Sequence, residues 1–304
     1  MIVRAALRSA LLGLLLALLI LPFGGSVAAA HGVADPEPGP TLPRVLSVEP
    51  AVAGLSVTVV EGGLRLRLDN RTEAAVDVRP PAGAGRGPEP VVPAGGSAAW
   101  ADPRMTGDGG WAVPLLVGDR AVTVRGDRVH PAQPQPVPWW SAIVFAAAAT
   151  FCVGALAVER GRRSGAAAAV AGLTVLVVGA HVVHVLGSAS VLADPLSPGT
   201  VLGAAGPGLV CWLLGAAGAA LTLTRQELGL PTCASAGAIA ALLTVFDTAG
   251  FHRPVLAFAW AFDVDRLTTV VTVGAGVGLF LTGCAAMRTA GGRENAVALI
   301  EKTR

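Results

Sequence analysis

The chain has 304 residues, 53% of them hydrophobic and 14% charged, with a formal net charge of +2. Soluble domains of this size carry about 25% charged residues, which leaves almost no room for a wholly cytosolic enzyme, and the apolar content excludes disorder throughout. Aromatics make up 5% and Tyr is absent, so there is little stacking surface and no nucleic-acid partner is expected.

Arg4 and Arg8 precede an apolar run over residues 11–21, after which Pro22, Gly24 and Gly25 break the helix. A run of about 10 to 13 apolar residues is too short to span a bilayer. Ala28-Ala29-Ala30 has the small-residue shape that signal peptidase accepts. Residues 1–30 are therefore expected to be a signal peptide, leaving His31 as the mature N-terminus. Cuts after Ala28 or Ala29 satisfy the same rule.

Residues 31–43, rich in Pro, Gly and acidic side chains, predict a flexible leader. Residues 44–130 predict an extracytoplasmic β domain. The runs 55–60 and 64–68 alternate around Glu61-Gly62-Gly63, a hairpin signal, with leucines on one side of Leu64-Arg65-Leu66-Arg67-Leu68 and arginines on the other. Asp69-Asn70-Arg71-Thr72 forms a turn by side-chain chemistry. Further strands are expected at 75–78, 97–101, 111–117 and 121–125. Six or seven short strands in about 95 residues suggest an immunoglobulin-like β-sandwich, here without any cysteine.

Residues 131–138 form a Pro-rich linker, and Trp139-Trp140 marks the membrane surface. Five spans are expected near 141–158, 166–185, 201–223, 232–249 and 268–287, making 139–287 an all-α five-helix transmembrane bundle. Arg160, Arg162, Arg163, Arg225 and the tail 288–304 then fall on the cytoplasmic side. That charge asymmetry agrees with an exported N-terminal domain and a cytoplasmic C-terminus in the plasma membrane. The four cysteines, Cys152, Cys211, Cys233 and Cys284, share no C-x-x-C spacing and read as small apolar filler.

Ionisable residues inside a membrane are expensive and informative. His181 and His184 share a face of the second span, roughly 22 to 28 Å from its cytoplasmic end. Asp247 reaches a similar level in the fourth span, and His252 follows just outside. Three imidazoles and a carboxylate at one depth suit a Cu(II), Zn or Ni site or a proton relay. Interfacial side chains bonded to water and to one another are the plainer alternative. His31 is a further candidate copper ligand, because a free α-amine and its own imidazole chelate Cu(II) together. Catalytic signatures of the common hydrolase, zinc-protease and phosphate-binding kinds are absent, so no enzymatic activity is expected.

The stretch Val48-Glu49-Pro50-Ala51-Val52-Ala53-Gly54-Leu55-Ser56-Val57 through Leu68-Asp69-Asn70-Arg71-Thr72 resembles the opening strands and "L-x-N-x-T" turn of a poorly characterised actinobacterial family of exported membrane proteins. Asp247 through Leu256-Ala257-Phe258-Ala259-Trp260 to Arg266-Leu267 resembles that family's segment before the last helix. The resemblance implies a signal peptide, a β domain and several C-terminal spans, in the company of copper-handling periplasmic proteins. The piece aligned with the family's histidine-bearing stretch is Trp100-Ala101-Asp102-Pro103-Arg104-Met105, which has no histidine.

The sequence thus predicts a non-enzymatic envelope protein whose exported sandwich binds a partner protein or a metal ion, with copper the candidate, at the outer face of the membrane. A component of a transport or proton-translocating system is one alternative. A purely structural subunit of a larger complex is the other.

Overall fold

The computed structural model describes residues 39–80, 90–106, 109–159, 164–192 and 196–288. The expected signal peptide, His31, Arg160, Arg162, Arg163 and the tail beyond residue 288 lie outside the described residues.

Among the described residues, the N-terminal domain has eight strands in two antiparallel sheets. One sheet has the order β1-β8-β7-β4-β5 and the other β2-β3-β6. The strands are β1 (Leu42–Glu49), β2 (Leu55–Val60), β3 (Arg65–Asn70), β4 (Val76–Val78), β5 (Val91–Val92), β6 (Ser97–Trp100), β7 (Trp111–Val117) and β8 (Arg120–Val129). Val57, Leu66 and Leu68 of the small sheet share one core with Val76, Val113 and Val122 of the large one. The alternation in β3 works as expected, its leucines buried and Arg65 exposed.

Two strands exceed the expected set. β1 begins inside the supposed leader, and its register against β8 shifts between Val45 and Ser47, which breaks the two-residue period that marks a strand. β5 is only two residues long and has no period to read.

Side-chain staples hold the domain without disulfides. Asn70 is fully buried, and its amide donates to the carbonyls of Ala74, Val92 and Pro93, while its oxygen accepts from Thr72. Asp102 accepts from Trp100 Nε1 at 3.0 Å and from Arg104 Nη2 at 2.7 Å. The Trp100–Met105 segment is thereby a structural knot.

The helical part comprises α1 (Pro136–Glu159), α2 (Ser164–Ala189), α3 (Pro198–Ala205), α4 (Gly208–Leu223), α5 (Gly229–Thr244) and α6, which starts as Phe262–Val270. A 3₁₀ segment, Val245–His252, extends α5, and a π segment, Val271–Ala275, interrupts α6 before it runs on to Arg288. Among the described residues, four helical stretches are long and apolar enough to cross a membrane: Pro136–Glu159, Gly165–Ala189, Gly229–His252 and Phe262–Arg288.

The third expected span is not a straight helix. It is the pair α3 and α4, bent by 88°. Gly206 takes a positive φ of 45°, and Pro207 has no N–H with which to continue the α3 ladder. The break falls at Gly206-Pro207, with Gly203 inside α3 and Gly208 opening α4. The linker is also shorter than expected, since α1 starts at Pro136. Trp139 and Trp140 close around the buried ring of Phe251, with centroids 6.0 and 5.6 Å away.

Small residues set the close approach of α5 and α6. A Cβ on Gly237 would lie 2.8 Å from the Gly276 carbonyl oxygen, and one on Gly276 would lie 2.5 Å from the Gly237 carbonyl oxygen. The domains touch where the Glu61 amide in the β2–β3 turn donates to the Val191 carbonyl just past α2, at 2.7 Å.

Candidate functional site

Three elements bring their ionisable residues to one end of the bundle. His184 lies five residues before the end of α2, about 8 Å along the axis. Asp247 sits in the 3₁₀ extension of α5, and Asp265 in the first turn of α6. His184 Nδ1 is 2.7 Å from Asp265 Oδ1, and its Nε2 is 3.3 Å from Asp247 Oδ2. The His184 side chain is 5% exposed and that of Asp265 10%, so this is an interior network.

Hydrogen-bond chemistry limits the charge states. Ionised carboxylates only accept, so Nδ1 carries a proton toward Asp265 Oδ1, and the 3.3 Å approach of Nε2 to Asp247 Oδ2 is an ion-pair contact when the ring is imidazolium. In that state, with both carboxylates ionised, the three groups sum to one negative charge. Arg266, also buried, does not neutralise it directly. Its guanidinium donates to the Gly250 carbonyl at 3.2 Å, the Arg253 carbonyl at 2.7 Å and Asp263 Oδ1 at 2.7 Å. Those bonds hold the α5–α6 connection over the site.

His181 is nearly fully buried, its ring centroid 6.4 Å from that of His184. Trp212 Nε1 donates to His181 Nδ1 at 2.9 Å, which puts the neutral ring's proton on Nε2. The contact needs Gly208, where a Cβ would come within 2.6 Å of His181 Cε1. Phe258 stacks on His184 with centroids 6.5 Å apart. The Ala259 amide donates to the Gly187 carbonyl at 3.1 Å, tying the connection to α2.

Of the residues singled out by sequence, the fold brings His181, His184 and Asp247 together. His252 is exposed on the rim, where its carbonyl accepts from Gln133 at 2.9 Å. Asp265, Arg266 and Trp212 are the members that sequence reasoning missed. The expected last span began at Thr268, so Asp265 counted as a loop residue. Its signal was an acidic first turn, with Asp263 and Asp265 ahead of an apolar run. Among the described residues, no group of three or more His, Cys, Asp or Glu side chains forms a metal-holding set. Cys211 and Cys233 are buried, Cys152 is exposed, and all four cysteines are free thiols.

The architecture is that of a membrane protein with an N-terminal two-sheet β domain and a C-terminal helical bundle. Comparison with protein families, with curated proteins and with solved structures gives no match.

Proposed function

We propose that this is a non-enzymatic, five-span protein of the cell envelope in which the Asp247–His184–Asp265 network is a proton-responsive site governing how the exported β domain sits on the bundle. The carrying observation is His184, held by a carboxylate at each ring nitrogen from two other elements. An ionisable group inside a membrane is a functional candidate by default. This one joins three elements that are otherwise distant in the chain.

The network also bears on topology. The C-terminal end of α2, the C-terminal end of α5 and the N-terminal end of α6 meet at His184, and so lie on one side. A return across the bilayer between α2 and α5 by the bent α3–α4 pair accords with that arrangement. With the β domain outside, that end is the outer face and the tail is cytoplasmic.

The link to the β domain is short. Val191, whose carbonyl holds the Glu61 amide, follows His184 by two helical turns. Glu61 carries a positive φ of 53°, uncommon for a residue other than Gly, so its turn depends on such a contact. Breaking either carboxylate contact to His184 loosens the end of α2 and weakens the seat of the β2–β3 turn. The other charged or titratable groups near the ring are His181 on α2 and Arg266 and Asp263 on α6. The immunoglobulin-like reading of the two packed sheets suits a domain that presents an edge to a partner protein of the envelope.

The closed inner half of the α5–α6 seam, where Gly237 meets Gly276, favours a responsive site over a transmembrane path. The copper reading rests on His181, His184, Asp247 and His252 as donors at one depth, on His31, and on the family resemblance. In the fold both nitrogens of His184 face carboxylates, and His181 Nδ1 accepts a hydrogen bond from Trp212 Nε1.

The test is hydrogen–deuterium exchange in the 61–63 turn of the full chain in lipid nanodiscs, at neutral and acidic pH. Acidification is expected to raise exchange in the wild type and to leave His184→Gln unchanged. A folded His184→Gln variant that keeps the wild-type pH response overturns the proposal.

A further inference from the structure

Most described hydroxyl groups in this bundle bond back to the preceding turn, Thr200, Thr248 and Thr268 to the carbonyl three residues before them. Thr174, Thr224, Thr232, Thr282, Ser190 and Ser235 each donate to the carbonyl four residues back, at 2.7 to 3.0 Å. Thr244, Thr269 and Thr272 do not. Their Oγ1 atoms are buried and meet no hydrogen-bond partner among the described residues. Their residues are 1%, 0% and 0% exposed. A buried hydroxyl without a partner is costly, and here three occur on two helices packed against each other.

They line one seam. α5 and α6 run antiparallel, with Ala234 against Gly283 and with Gly237 and Ala241 against Gly276. One turn further out on the same face of α5 comes Thr244, then Asp247. Outward from Gly276 on α6 come Thr272, Thr269 and Asp265, at spacings of three and four. The inner half of the seam is closed by glycine and alanine. Helical spacing carries the three hydroxyls and then the two carboxylates onto the outward continuation of that seam. Both helices leave α geometry there, α5 for a 3₁₀ segment at Val245 and α6 for a π segment at Val271. Such departures are frequent at functional sites, and unwound backbone inside a membrane supplies carbonyl oxygens for cations.

We infer that the outer half of the α5–α6 seam is a binding site for one alkali cation, held by the hydroxyls of Thr244, Thr269 and Thr272 beside the Asp247 and Asp265 carboxylates. The inference extends the proton-responsive reading of the same network and rests on it. Charge sets the valence. Imidazolium and two carboxylates leave one negative charge, so a monovalent cation neutralises the site, whereas a divalent one would leave a buried positive charge. The donors are hard oxygens, which suit Na⁺ or K⁺. With its inner half closed and the α5–α6 connection held over it, the site is enclosed at both ends. The cation stays there instead of passing through, and it competes with protons for the carboxylates.

The experiment uses full-length protein in nanodiscs, with ²²Na⁺ and ⁸⁶Rb⁺ binding and thermal unfolding in Na⁺, K⁺ or N-methylglucamine chloride at constant ionic strength. Saturable binding of one ion, with stabilisation by Na⁺ or K⁺ over N-methylglucamine, is the expected result. Thr244→Val and Thr272→Val keep the side-chain volume and remove one oxygen each. Each is expected to weaken the ion by about tenfold or more while retaining the acid response of the 61–63 turn measured in N-methylglucamine. Absence of a cation effect on the wild type overturns the inference, as does unchanged affinity in both folded variants. Loss of the acid response alone counts against the proton reading and not against the cation site.

Discussion

Nδ1 of His184 lies 2.7 Å from Oδ1 of Asp265, a residue 81 positions further along the chain. That contact joins the end of the second helix to the start of the last. It is shorter than the 3.3 Å approach of Asp247 to the other ring nitrogen, so the two carboxylates carry unequal shares of the network.

The inequality sets an order of effects. Asp265→Asn is expected to destabilise the protein by about 3 kcal/mol, the usual result of breaking one side of a buried pair, and Asp247→Asn by less. Thermal unfolding of both variants in nanodiscs checks the order. Equal losses would mean that the ring holds both carboxylates equivalently.

Gly208→Ala tests the His181–Trp212 contact. The added Cβ cannot coexist with His181 Cε1 at 2.6 Å, so the ring must shift and release the indole N–H. A cost of about 2 kcal/mol is expected from overpacking, together with movement of the Trp212 indole proton resonance. An unmoved resonance would contradict the observed packing.

The crossing pattern is open to labelling. In a background with Cys152, Cys211, Cys233 and Cys284 replaced by Ala, Asp263→Cys is expected to react with an impermeant maleimide added outside intact cells. Glu227→Cys is expected to react only after permeabilisation. External labelling of both positions would make α3 and α4 a re-entrant hairpin.

In the β domain, Asp102 supplies the pH dependence. Burial pushes its carboxyl up, but hydrogen bonds from the Arg104 side chain, Trp100 and the Arg104 amide outweigh it, and the pKa falls below the ordinary value. A lowered folded pKa stabilises the fold above the unfolded value of about 3.9, and that stability is lost as pH falls through the folded pKa. Asp102→Asn is expected to destabilise the domain by about 2 kcal/mol near neutral pH and to flatten the acid limb of its unfolding curve. Chemical denaturation followed by tryptophan fluorescence across acidic pH reads both effects.

How much of this was legible depended on the range of the interaction. β2 and β7 coincide with the runs expected at 55–60 and 111–117, because alternation is local and unbroken there. The Asn70 turn was legible as turn chemistry, although its donations to Val92 and Pro93 were not. His181 and His184 share a face because they are three residues apart on one helix. The pairing of His184 with Asp265 needed the helix start to be placed at Phe262, which put Asp265 inside the bundle instead of in a loop.

Composition and periodicity alone determined a polar β domain joined to an apolar helical bundle, because burial follows residue type at a fixed local period. They also reduced the polar residues within the bundle to a short set. The tertiary structure decided which of those residues meet. A charge inside a membrane must find its partner in space, and here the partners came from helix ends far apart in the chain. The break at Gly206-Pro207, the seam closed by Gly237 and Gly276, and the three threonines left without partners are all consequences of how helices pack. No local period encodes them.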